Sequence, residues 1–346
     1  MVFFIELLQI ALGTREKLSR VPNAREWVSL LEEAERQAVA GVLLDGLERL
    51  SEEQLPPLEV KLQWIGEAQI IEQTSLHHQN RAGELTSRFK GVGFHSCILK
   101  GLSAANRYAS PLRRDNGDID FWTNGRRKDV MLWLREQCPL GNILWHHADA
   151  QFFDDVKTEI HFHPSWLYDP VHNYRLQRWF NQQSTVQMQQ KVNEKGYVCT
   201  TASFDAVYQL AHILHHLMDE GVGLRHIIDY YYVIEELKET DAAVKEEALR
   251  VIKSVGLWRL FRGMMWLLHH VCGTSLDNLL CVPDDKEGRY LLKEVMQGGN
   301  FGHYREDGQR RNSIARMWAL LPHYPREVLW IVPWKMWHRT WMVLNR

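Results

Sequence analysis

Residues 97–123 read CILKGLSAANRYASPLRRDNGDIDFWT. A short apolar strand ends at Lys100-Gly101, a short helix follows, then an Arg-bearing loop, then a second strand carrying Gly117, Asp118, Ile119 and Asp120. Successive strand side chains point to opposite faces, so Asp118 and Asp120 project on one side while Ile119 and Phe121 enter a core. Two carboxylates held that close repel each other. A divalent cation between them resolves the repulsion, because hard ions such as Mg²⁺ take carboxylate oxygens. Lys100, Arg113 and Arg114 bring positive charge suited to phosphates.

Working outward, GVGFHSCILK (91–100) has strand length and GDIDFWT (117–123) is the second strand. RRKDVMLWLREQ (126–137) predicts a helix. NILWHH, DAQFFDDV and KTEIHFHPSW read as further short strands, with Pro139-Leu140-Gly141 as a break. This order predicts a small mixed sheet with helices on one side. In KTEIHFHP, the residues Glu159, His161 and His163 share one strand face, with Ile160 and Phe162 on the other. If this strand neighbours the aspartate strand, Glu159 completes a carboxylate triad able to hold two metal ions.

The flanks are helical. Phe3, Leu7, Leu8 and Ala11 repeat at helical spacing, Asn23 is a candidate cap, and a long helix is expected from about Leu58 to Phe89. After about residue 240, Val251, Val255, Leu260, Phe261, Met264, Met265 and Leu268 mark a wide buried face. The expected class is α+β: an N-terminal helical region (1–90), a mixed-sheet core (91–190) and a C-terminal helical domain (191–346). A net charge of -2 gives no pull toward nucleic acid. Five scattered cysteines fit free thiols in a reducing cytosol, so a cytoplasmic location is expected. The opening MVFFIELLQIAL reads as an amphipathic helix and not a signal peptide, and no stretch suits a transmembrane helix.

The run ILKG…PLRRDNGDID, followed by TEIHFH, resembles the bacterial uncharacterised nucleotidyltransferase family, within the DNA polymerase beta-like nucleotidyltransferase superfamily. The resemblance falls on Leu99, Lys100, Gly101, Arg113 or Arg114, Asp118, Asp120, Glu159 and His161. LAHILHHLMDEGVGLRHIIDYYYVI is similar to the family's helical half, at His212, His215 or His216, Leu224, Arg225 and Asp229. It implies a nucleotidyltransferase core in which Asp118, Asp120 and Glu159 bind Mg²⁺ (or Mn²⁺) and do the catalytic work. Lys100, Gly101, Arg113, Arg114 and Gly117 would hold the phosphates of an NTP, and His161, His212, His216, Arg225 and Asp229 would line the cleft. It also implies Glu159 as the acceptor of the incoming hydroxyl's proton. The superfamily's Gly-Ser turn is replaced here by Lys100-Gly101-Leu102, with Ser103 as the substitute hydroxyl.

Plainer readings stand beside these. Asp-x-Asp next to a glycine also fits an Asx-type turn, although Lys100-Gly101 and Glu159 favour chemistry. His212, His215 and His216 have a spacing that could hold zinc, but packed histidines are the preferred reading. Arg225 and Asp229, four apart, are expected to pair with each other. Trp334, Trp337 and Trp341 share a helical face near Lys335, Arg339 and Arg346 in a basic tail from Tyr304; packing on the bundle is the default, with membrane-surface contact and partner binding as the alternatives. Two functions follow: transfer of a nucleoside monophosphate to an acceptor (small molecule, sugar-phosphate or protein) with pyrophosphate release, or binding without catalysis.

Overall fold

A computed structural model describes residues 2–302 and 313–344; Tyr304 and Arg346 of the tail lie outside these. Four helices precede the sheet: α1 (Val2–Ala11), α2 (Ala24–Arg36), α3 (Ala40–Glu48) and α4 (Leu58–Gly91). Asn23 caps α2 as expected, accepting from the Arg25 and Glu26 amides while Glu26 reaches back in a capping box. Then come β1 (Ser96–Ile98), α5 (Lys100–Ala105), β2 (Ile119–Thr123), α6 (Arg127–Gln137), β3 (Leu140–Ile143), β4 (His147–Ala150) and β5 (Thr158–His161). The helical remainder comprises α7 (Pro170–Met188), α8 (Ala202–Asp219), α9 (Leu224–Lys238), α10 (Ala242–Ser254) and α11 (Trp258–His270). It continues with α12 (Asp285–Gly298), α13 (Ser313–Leu320) and α14 (Pro325–Leu344).

The class is α+β, with a mixed sheet in the order β1-β2-β5-β4-β3. β2 and β5 run parallel, and the other pairs are antiparallel. Two local expectations shift. Residues 139–141 do not break the sheet, because β3 starts at Leu140, and DAQFFDDV leaves the sheet after Ala150. Helices also cover both faces of the sheet and not one. On one face, Ile119, Phe121 and Ile160 pack with Phe89, Val130 and Leu134 from α4 and α6. Phe89 sits 4.5 Å from Phe121 and 4.6 Å from Trp133 between ring centres. Burying a side chain of this size contributes about 1.5–3 kcal/mol.

The alternating residues of β2 face the other way. Trp122 stacks on Phe204 of α8 at 5.5 Å. Asp120, two residues earlier on the same side, lies where sheet and α8 part to leave a cavity of about 760 Å³. The helices before the sheet and those after it share one hydrophobic cluster, which includes Trp27, Leu43 and Trp64 with Tyr230, Phe261 and Met264. The chain's two helical ends therefore close on each other and present the sheet's acidic face to α8 and α9. On α14, Trp334 stacks on Trp166 at 5.2 Å and Arg127 lies over Trp341 at 4.7 Å, while Trp330 and Trp337 stay partly exposed. No described helix is long and apolar enough to cross a membrane.

Candidate active site

The parallel pairing of β2 with β5 aligns Asp120 with Glu159 and Ile119 with Thr158. Aligned residues share a pleat direction, so Glu159 leaves the sheet on the same side as Asp120. Asp118, Asp120 and Glu159 each bring a carboxylate oxygen into a group whose members all lie within 4.8 Å of one another. The acids come from two strands that are not consecutive in the chain, since β3 and β4 intervene.

Positive groups crowd this cluster. Lys100 Nζ is 2.7 Å from Asp120 Oδ1. Its backbone adopts the left-handed region, φ 43, and Gly101 follows at φ 2 and ψ -94. That conformation costs a non-glycine residue on the order of 1 kcal/mol, and it turns the ammonium across the strand. His161 Nε2 is 2.9 Å from the same Asp120 oxygen. Lys157 contacts Glu159 Oε1, and His147 Nδ1 stands 3.6 Å from Glu159 Oε2.

The titration behaviour follows from these contacts. Repulsion from Asp120, then burial, raises the Asp118 carboxyl above its usual range. Burial alone would raise Asp120 too, but Lys100 and His161 outweigh it and lower it. Burial opposes ionisation of Glu159 as well, yet His161, His147 and Lys100 hold it well below the usual carboxylate range. Burial would depress His161; its hydrogen bonds to Asp120 and Glu159 win and push it up to about 9. The carboxylates thus already attract cations, and Lys100 fills part of that role on Asp120. The oxygen-rich, mutually repelling donor set fits Mg²⁺ or Mn²⁺.

The loop before β2 is held from outside the sheet. Arg114 makes a two-pronged ion pair with Asp229 of α9, at 2.6 and 3.1 Å, with both side chains buried. Arg114 Nη1 also donates to Asn116 Oδ1, and Asn116 Nδ2 donates to Ser75 Oγ on α4, each at 2.9 Å. The Arg225 guanidinium donates to the Asp115 carbonyl at 2.8 Å. Asp229 thus pairs with Arg114 and accepts from Tyr108, instead of forming the expected pair with Arg225.

Lys100, Gly101, Arg114, Gly117, Asp118, Asp120, Glu159, His161, His212, His216, Arg225 and Asp229 all line the cavity. Arg113 and Ser103 do not. Arg113 points the other way, into Asp45, Glu48 and Glu72 of α3 and α4 at 2.6 to 2.8 Å. Arg113 ends a 3₁₀ turn (Pro111–Arg113) and Arg114 follows it in extended conformation, so their side chains leave in different directions. Ser103 is buried against Thr200, 2.8 Å between hydroxyls, and offers nothing to a phosphate. Gly117 carries no steric demand, since a Cβ there would meet nothing within 4 Å. Sequence reasoning missed His147, Lys157 and His226 among the lining residues, and Asn116 and Ser75 behind them. His147 was findable: it alternates with Asp149 on a strand that β5 must pair with. His226 carried no local signal.

Three carboxylates and a lysine thus leave one sheet face for a shared cavity. Residues 23–273 match the model of the uncharacterised nucleotidyltransferases, and the chain belongs to that family. Among solved structures it is similar to an antigenic nucleotidyltransferase-like protein from Paracoccidioides brasiliensis, at 11% identity, with 51% of this chain and 88% of that chain covered and a TM-score of 0.31. No curated protein matches the chain.

Proposed function

We propose that the protein transfers a nucleoside monophosphate from an NTP to an acceptor, using Asp118, Asp120 and Glu159 as ligands for Mg²⁺ or Mn²⁺. The observation that carries this reading is the convergence of those three acids, with Lys100, on one wall of the cavity. Divalent ions held there would neutralise charge on the transferred phosphoryl group. The chain's own groups do the rest. Lys100 exchanges Asp120 for a phosphate oxygen, and Arg225 adds positive charge to the cavity wall around the triphosphate. The acceptor oxygen bonds to the α-phosphorus, the bond to the bridging oxygen breaks, and pyrophosphate leaves.

The acceptor's proton needs a base. Glu159 Oε2 and His147 Nδ1, 3.6 Å apart on the cavity wall, are the groups placed to take it. The test is calorimetry of Mg²⁺-dependent NTP binding, repeated with Asp118→Asn plus Asp120→Asn. Binding should weaken at least tenfold; equally tight binding in the double variant removes the metal role.

A second reading, binding without transfer, is favoured by the Lys100-Gly101 turn and the burial of Ser103, which leave the triphosphate without a hydroxyl from that turn. Pyrophosphate release from the four NTPs with a mixed pool of alcohols, sugar-phosphates and proteins separates the two readings. Release above the Asp118→Asn background supports transfer.

A further inference from the structure

We propose that His212, His216 and His226, which line the cavity together, form a second metal centre for Zn²⁺ or a similar borderline ion. His212 and His216 are four residues apart on α8 and so stack on one face, one turn apart. His226 enters from the first turn of α9, across the Gly221–Gly223 connection. One ring nitrogen from each lies within 4.8 Å of the other two. His212 Nε2 and His216 Nε2 are 2.8 Å apart. Four-coordinate zinc, with Zn–N bonds of about 2.0–2.1 Å, needs nitrogens about 3.3–3.4 Å apart. Small ring rotations take the cluster there. One ring donates its N–H to the other; a metal ion would take that place as the donor ring's proton moves to its Nδ1.

The surroundings suit ligation. Ligating histidines usually anchor their other nitrogen. His216 Nδ1 sits 3.1 Å from Glu220 Oε2. His226 Nδ1 meets both the Gly223 amide at 3.3 Å and its carbonyl at 3.4 Å, which fixes the ring against the backbone. His215 stays out of the group because it packs on Trp166, 4.0 Å between ring centres, and faces Asp219.

Donor chemistry sorts the two centres. Three nitrogens and no carboxylate favour zinc over Mg²⁺, whereas the sheet's three acids favour Mg²⁺. This centre does not depend on the nucleotidyl-transfer reading.

The experiment uses the full chain, stripped with a chelator and reloaded with Co²⁺ or Zn²⁺. Stoichiometric Co²⁺ should give the visible bands of a four- or five-coordinate nitrogen site, and X-ray absorption of the zinc-loaded wild type should count three imidazoles. Asp118→Asn plus Asp120→Asn should keep the cobalt bands, and His212→Ala plus His226→Ala should abolish them. Because the imidazole count needs no variant, misfolding of a histidine variant leaves the test intact. No bound cobalt, fewer than three imidazoles, or bands lost only in the aspartate variant would overturn the centre.

Discussion

Asp229→Asn tests how the helical half of the molecule holds the loop that delivers Asp118. Asp229 accepts from Arg114 at 2.6 and 3.1 Å and from the Tyr108 hydroxyl at 2.6 Å, and the two charged side chains are 6% and 7% exposed. Asparagine keeps the volume and can still accept from Tyr108, so what disappears is the charge opposite Arg114. Stripping one partner from a buried ion pair costs about 3–5 kcal/mol, mostly because the other charge remains buried and uncompensated. That is a large part of a typical folding stability of about 5–15 kcal/mol. Chemical denaturation of wild type and variant should show this loss. Arg114→Met combined with Asp229→Asn should recover part of it, since no buried charge is left behind. Arg114 also positions Asn116, two residues before Asp118, so Mg²⁺-dependent nucleotide binding should weaken in the single variant. A single-variant cost below about 1 kcal/mol, or strictly additive costs in the double variant, would refute the claim that this pair supports the site.

Arg113→Ala removes the contacts to Asp45, Glu48 and Glu72 and should lower stability by about 1–2 kcal/mol while calorimetric NTP affinity stays unchanged, because Arg113 points away from the cavity. Gly41→Ala would set a Cβ 2.2 Å from the Arg113 carbonyl oxygen; overpacking of this kind costs about 1–3 kcal/mol, and displacement of the arginine loop should weaken Mn²⁺ binding followed by electron paramagnetic resonance. Burial pushes His163 and His215 down from 6.5 to about 4. These rings bind protons better when unfolded, so the stability they confer is complete above about pH 6.5 and is lost as pH falls toward 4, by up to about 1.4 kcal/mol per pH unit for each ring. Denaturation midpoints measured from pH 7.5 to 4 check this, and His163→Gln should flatten part of the slope.

Much of the site was legible because it depends on short-range rules. The two-residue period of GDIDFWT put Asp118 and Asp120 on one face and Ile119 and Phe121 on the other, and both apolar residues are buried. TEIH carried the same alternation for Glu159 and His161. Asn23 announced its helix because a cap is satisfied by amides within three residues. The C-terminal apolar stripe lies in the core for the same kind of reason.

Partner choice was not legible. That β5 slots beside β2, with β3 and β4 outside it, depends on the packing of the whole sheet, and only this order brings Glu159 level with Asp120. Of two adjacent arginines, the fold sends Arg114 to Asp229 and Arg113 to the N-terminal helices, because the backbone passes from a 3₁₀ turn at Arg113 to an extended conformation at Arg114. His226 joins His212 and His216 only because α9 folds back across a glycine turn. By itself the sequence determined which groups each strand and helix would present, through backbone periodicity and local hydrogen bonding. Which of those groups meet was decided by the tertiary structure, because burial of apolar surface is non-directional and is satisfied by the best packing of all elements together.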